Sequence, residues 1–258
     1  MNTTINPKYE SLRATLDSPE ELVRRGTLIH QGRNTLYLTE AEGVPLCIKQ
    51  FGFANGFKRF VYRFLRSPKG LRAWENSLRL REAGIETPEP VAYLQEDAWW
   101  GVKRSYYICR YQAGQTLYAW GAKPVDEIRE GLILLAALAA KMHEADMLFC
   151  DFTPGNILLT GPGFSLVDTN RMRFGRVSVE QGLRSMAGLW LQPEAAALLA
   201  RTYAEQRGAD SEACAQRFTT CRRLFWKRFA RRHRLTDSIT HHNLDGSQFT
   251  YDLSTTLR

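Results

Sequence analysis

The sequence is poor in the features that would place it in a membrane, at a zinc site or in a disulfide framework. Its most apolar run, residues 132–140, is closed in by Glu130 and Lys141 and falls well short of the roughly 18 to 20 residues that a spanning helix needs. The start, Met1-Asn2-Thr3-Thr4-Ile5-Asn6-Pro7-Lys8, has no basic stretch leading into an apolar core, so no secretory signal is expected and a cytoplasmic location is. Five cysteines, at 47, 109, 150, 214 and 221, form no Cys-x-x-Cys pair. An odd number cannot all pair within the chain, and no His-Glu-x-x-His is present to hold zinc. No internal repeat or low-complexity segment occurs, so the element order can be read directly. Lysine is scarce: 27 of the 35 basic residues are arginine, the side chain whose planar fork binds phosphate bidentately.

The formal charge of +8 is local. Residues 58–72 carry six Lys/Arg and residues 222–234 carry seven, with no acid in either stretch, so the rest of the chain is net acidic. A phosphate-bearing anionic partner is the leading reading. Nucleic acid, an anionic membrane face and a phosphorylated small molecule all share that chemistry.

Alternation and turn residues set out the order of elements. Residues 27–31, 35–39 and 44–51 read as three short strands, turning at Gly32-Arg33-Asn34 and at Gly43, which makes a β-meander. Ser67-Pro68 opens a helix that runs through Trp74, Leu78 and Arg81 until Gly84 ends it. Thr87-Pro88-Glu89-Pro90 breaks into a strand at 91–94. Residues 99–102 and 106–111 read as the strands of a hairpin, and Gln112-Ala113-Gly114 as a linker. From 124 to 144, Ile128, Leu132, Leu135, Ala139 and Met142 recur at helical spacing in a mostly apolar segment, which suits a buried helix. Strands with one helix among them, then a joint and a helical half, predict an α+β chain of two lobes, 1–111 and 112–258, with a ligand bound between them.

The chemistry concentrates in Leu148-Phe149-Cys150-Asp151-Phe152-Thr153-Pro154-Gly155-Asn156-Ile157-Leu158-Leu159. An acid stands five residues before an amide, Pro-Gly forces a loop between them, and an apolar strand follows. After a turn at Gly161-Pro162-Gly163, a second apolar strand, Phe164-Ser165-Leu166-Val167, ends on Asp168. Such a hairpin delivers three oxygen-bearing side chains to one edge, and hard oxygen donors suit Mg²⁺.

On these residues the chain resembles the protein-kinase-like superfamily over nearly its whole length. The resemblance implies that Asp151 orients the acceptor hydroxyl, that Asn156 and Asp168 hold Mg²⁺, and that Lys49, in Leu46-Cys47-Ile48-Lys49, grips the ATP phosphates while paired with Glu75 of the helix. Gly32, Arg33 and Asn34 would form the turn over the nucleotide, and the backbone at 108–112 would meet the adenine.

Several positions depart from the pattern. Phe149-Cys150 replaces the usual His-Arg before the catalytic Asp, which removes a receiver for an activating phosphate. Thr169-Asn170-Arg171 replaces Phe-Gly after Asp168, and the nucleotide turn has a single glycine. These changes point away from a regulated protein kinase and towards a small-molecule or glycolipid kinase.

The run Leu80-Arg81-Glu82-Ala83-Gly84-Ile85-Glu86-Thr87-Pro88-Glu89-Pro90-Val91, the compact Asp151–Asn156 loop and Val167-Asp168-Thr169-Asn170-Arg171 are similar to the bacterial lipopolysaccharide kinase family. That resemblance implies ATP-dependent phosphorylation of Kdo or heptose in the inner core. The alternatives are a kinase for another small molecule or a protein, or a catalytically impaired kinase-like scaffold. The aromatic, cationic stretches 56–66 and 224–232, with Cys221, Phe225 and Phe229 as an apolar edge, would then meet the glycolipid acceptor or the anionic inner leaflet, making the protein peripheral at the cytoplasmic membrane face. Nucleic acid becomes the least favoured partner.

Overall fold

A computed structural model describes residues 1–52, 67–161, 163–242 and 246–257. The basic stretch 56–66 and Pro162 of the expected turn lie outside the described residues. The chain divides into two compact units, residues 1–113 with 168–170, and residues 114–167 with 171–258.

The first unit is built on a six-stranded antiparallel sheet of β1 (Asn2–Ile5), β2 (Thr27–Gln31), β3 (Asn34–Ala41), β4 (Val44–Phe51), β5 (Pro90–Ala98) and β6 (Gly101–Arg110). Its spatial order is β1-β5-β6-β4-β3-β2. The meander read at 27–51 is β2-β3-β4. Alternation along β4 separates two cores: Leu46 and Ile48 pack with Ile108, Leu12, Leu16 and Leu22, whereas Cys47 and Phe51 pack with Trp74, Tyr93 and Tyr107. By the same period of two, Lys49 falls on the second face. That face carries α3 (Lys69–Glu82), the helix read after Ser67-Pro68, which ends before Gly84 at φ +65°. A Cβ on Gly70 would meet Ser105 Oγ at 2.6 Å, so glycine there lets the helix approach the sheet closely.

The N-terminal segment 1–25, in which the sequence marked no element, is folded: β1 pairs with β5 at the sheet edge, and α1 (Arg13–Leu16) and α2 (Pro19–Arg25) lay Leu16 and Leu22 on the sheet. Its apolar residues are too sparse to show a period. One reading is corrected: of the strand expected at 99–102 only Gly101 and Val102 are strand, as the start of the single long β6. Ala98 pairs with Gly101, so Trp99 and Trp100 form the two-residue turn and Trp99 is 90 % exposed. The strand preference of tryptophan is overruled by the register of a tight hairpin.

The second unit begins with β7 (Gln115–Thr116) and α4 (Val125–Glu144). β8 (Met147–Phe149), β9 (Ile157–Thr160), β10 (Gly163–Leu166) and β11 (Met172–Phe174) follow, then α5 (Val179–Met186), α6 (Pro193–Gln206), α7 (Ser211–His233), the hairpin β12 (Ser238–His242) with β13 (Gln248–Asp252), and α8 (Ser254–Leu257). β10, β9 and β7 form one small sheet, and β8 pairs with β11. The α4 helix buries Ile128, Leu132, Leu135, Ala139 and Met142; each fully buried leucine stabilises by about 1.5–3 kcal/mol. It is amphipathic and not buried all round, because Ile133 and Leu134 stand out to solvent.

Arg222, counted in the basic C-terminal stretch, is buried. Its guanidinium donates to the carbonyls of Leu189 and Leu191 and to the Tyr251 hydroxyl, at 2.6–2.7 Å, which ties α7 to the segment after α5. Among the described residues no helix is long and apolar enough to cross a membrane.

Candidate active site

In the first unit Lys49 Nζ lies 2.5 Å from Asp168 Oδ1. The lysine is nearly buried and the carboxylate about one-third exposed, so each charge depends on the other for compensation. Asp168 has φ +56°, a left-handed conformation that Asp tolerates better than most residues. Asn170 Nδ2 donates to the same Oδ1.

What seats Asp168 is the residue after it. The Asn76 amide donates to the Thr169 carbonyl at 2.7 Å, Ser77 Oγ and Thr169 Oγ1 share a hydrogen bond of 2.9 Å, and Thr169 Oγ1 donates to the Ala73 carbonyl. The Tyr107 hydroxyl completes the network on Ser77 at 3.0 Å. Residues 168–170 thereby belong to the first unit, although the chain on both sides belongs to the second.

The expected pair between Lys49 and Glu75 is not formed. Glu75 is on the exposed side of α3, while Ala73, Asn76, Ser77 and Leu80 are buried. The helix rotation that puts Asn76 and Ser77 on Thr169 turns Glu75 outward, roughly 100° per residue away.

The turn Gly32-Arg33 joins β2 to β3, and the Gly32 N–H donates to the Asn34 carbonyl at 3.2 Å. Gly52 is needed beneath it, since a Cβ there would sit 2.3 Å from the Arg33 carbonyl oxygen. Asn34 Oδ1 is buried with no hydrogen-bond partner among the described residues. Lys69, the first residue of α3, was not singled out in the sequence. Burial first, then the nearby cations Arg33, Arg72 and Lys49, hold its ammonium below the ordinary lysine range against an opposing effect of Asp168. A group of cations around one carboxylate is suited to a polyanion.

In the second unit the loop from Asp151 to Asn156 is braced from within. The Asn156 amide Nδ2 donates to the Asp151 carbonyl at 2.9 Å, and the Thr153 N–H donates to the same carbonyl at 2.7 Å. The Val167 N–H then donates to the Asn156 carbonyl at 2.9 Å. Phe149, where a histidine is usual, is fully buried and packs edge-on against Phe152. A Cβ on Gly155 would meet the Tyr118 hydroxyl at 3.0 Å. The Asp151 carboxylate is 26 % exposed and takes two bonds from Arg171 Nη1, at 2.7 and 2.9 Å. His143 is no acid–base candidate. It bonds Tyr203 through Nδ1, and burial, followed by Arg207, pulls it down from 6.5 to about 3.

Each unit offers an oxygen acceptor of the kind that suits Mg²⁺. Both contacts of Asp168 fall on Oδ1, leaving Oδ2 without a protein partner among the described residues, and Asn156 uses its NH₂ on the backbone, leaving Oδ1 as an acceptor. No cluster of three or more His, Cys, Asp or Glu that could hold a metal occurs among the described residues. Mg²⁺ bound through one or two protein oxygens and substrate phosphates needs none.

Asn76, Ser77 and Lys69 were not singled out in the sequence, and Thr169 and Arg171 stood there only as departures from the kinase pattern and in the family-like run. The one available signal was Asn76-Ser77 interrupting the face of α3 next to Trp74.

The profile of the lipopolysaccharide kinase (Kdo/WaaP) family matches residues 31–181, a segment containing every candidate site residue from Gly32 to Asp168. A solved structure described as WaaP in complex with acyl carrier protein has a TM-score of 0.62 and 17 % identity, over 90 % of this chain and 99 % of that one. No functionally curated protein matches the chain. The structural likeness shows a shared fold: the expected α+β architecture with an antiparallel N-terminal sheet and a helical C-terminal part. Since the family profile spans more than half of its length, the chain belongs to the lipopolysaccharide kinase (Kdo/WaaP) family.

Proposed function

We propose that the protein transfers the γ-phosphoryl group of ATP to a hydroxyl of Kdo or heptose in the lipopolysaccharide inner core. The observation that carries this reading is the ion pair of Lys49 with Asp168, two residues far apart in sequence whose types are those needed beside a nucleotide's phosphates.

Phosphoryl transfer asks the protein for positioning and charge stabilisation more than for covalent chemistry. Lys49 would align the phosphates, with Lys69 and Arg33 adding positive charge on the same unit. The Asp151 carboxylate would orient the acceptor hydroxyl and receive its proton as the oxygen attacks. Arg171 holds that carboxylate in place. Asp168 and Asn156 are the residues proposed to hold Mg²⁺, which when bound offsets the charge of the phosphates.

The test is acceptor profiling with radiolabelled ATP against inner-core glycolipid, soluble sugars and a generic protein substrate. Label on the glycolipid alone, lost in Lys49→Ala and Asp168→Ala proteins that still fold, is expected. Label on soluble sugar or protein only, or turnover retained in either variant, would overturn the assignment.

A further inference from the structure

The second unit carries a groove of about 390 Å³ along α7 that the phosphoryl-transfer reading does not use. Its floor is apolar: Ala187, Cys221, Phe225 and Phe229, with Leu224 at the edge and 46 % exposed. Phe225 and Phe229 stack on each other and pack towards Trp226, half-buried with one side in the core and the other in the groove. The phenyl ring of Phe225 sits so close to Gly188 that a Cβ there would approach it to 2.9 Å.

The two ends of the groove differ in charge. At one end Arg184 and Arg217 both bond the Glu180 carboxylate, at 2.7 and 2.6 Å, and are compensated. At the other end Arg228 and Arg232 make no ion pair among the described residues and are exposed. Arg223, Lys227 and Arg231 are exposed on the same helix, and residues 213–236 contain no acid. Apart from Glu180, which Arg184 and Arg217 take up, the trough is bordered by cations, and exposed cations beside apolar side chains complement a diffuse plane of phosphates with hydrocarbon beneath it.

We propose that this groove docks the protein on an anionic phospholipid surface. Arg228 and Arg232 meet headgroup phosphates, while Leu224 and the edges of Phe225 and Phe229 reach the acyl boundary. The purpose of such docking, delivery of a membrane glycolipid to the catalytic residues, rests on the function proposed above; the docking itself does not.

The experiment is co-sedimentation of the full chain with phosphatidylcholine vesicles, with and without phosphatidylglycerol. It is repeated with the Asp151→Asn protein, so that binding is read without turnover. Binding to the anionic vesicles only, weakened by added salt, is expected. The Arg228→Glu/Arg232→Glu protein should lose about tenfold or more in partitioning, with an unchanged melting temperature because both residues are exposed. Leu224→Asp should weaken binding, and Arg231→Glu, exposed on α7 but outside the groove, should weaken it less than Arg228→Glu does. Equal binding to neutral vesicles, or equal losses for Arg231→Glu and Arg228→Glu, would overturn the proposal. Glycolipid phosphorylation in detergent together with failed vesicle binding would remove this inference alone; vesicle binding without any glycolipid phosphorylation would remove only the acceptor assignment.

Discussion

Arg171 Nη1 donates to both carboxylate oxygens of Asp151, and the Cys150 N–H donates to the Arg171 carbonyl at 2.9 Å, extending the β8–β11 ladder. The strand pairing therefore places the arginine opposite the acid from twenty positions away. Arg171 is 58 % exposed, and an ion pair that open contributes only about 0–1 kcal/mol to stability. What it provides is orientation.

Arg171→Ala is accordingly expected to fold normally and to lose on the order of tenfold to a hundredfold in kcat, the usual cost of a loosened catalytic group. The KM for ATP should change little, and Arg171→Lys should recover part of the rate. Steady-state kinetics with ATP as the varied substrate check this. A raised KM for ATP with kcat intact would place Arg171 on the nucleotide instead.

The exposed Glu75 should matter less than its buried neighbours. Glu75→Ala is expected to stay within about threefold of the parent in kcat/KM, as surface changes do. Asn76→Ala leaves the buried Thr169 carbonyl without its amide donor, which costs about 1–3 kcal/mol of stability, and frees Asp168 to move, lowering kcat. Thermal melts beside initial rates decide it. A Glu75→Ala protein as impaired as Lys49→Ala would mean that Lys49 and Glu75 do pair during turnover.

His143 sets an acid limit on stability. Its folded value of about 3 lies below the ordinary 6.5, so between those values the unfolded chain binds the extra proton and stability rises with pH. This contribution is complete above about pH 6.5 and declines as pH falls towards 3. In urea melts, His143→Gln, which keeps a polar group beside Tyr203, is expected to show a shallower fall over that window. Identical slopes for variant and parent would assign the acid loss to other groups.

Much of the fold is legible because strong local periods survive folding. The β4 strand runs over the residues its alternation marked, and α4 begins within one residue of its expected start. The N-terminal segment 1–25 was illegible because its few apolar residues act only against a sheet formed by later residues. The Trp99-Trp100 turn was hidden because strand preference is a single-residue property, whereas register belongs to two strands.

The candidate site divides in the same way. Asp151, Asn156, Asp168 and Lys49 stand out in the sequence by residue type, order and the turns around them, because short loops and strand ends constrain what neighbours them. Which group meets which was decided in three dimensions. Lys49 faces Asp168 and not Glu75 because packing rotates Asn76 and Ser77 of α3 onto Thr169. Arg222, one cation of a basic run on paper, is a buried strut, while Arg228 six residues on is open to solvent. By itself the sequence determined the element types and the inventory of charged and oxygen-bearing groups, since both follow from local alternation and residue chemistry. The tertiary structure alone decided the pairings and the burial of each charge, because these depend on which surfaces lose water together.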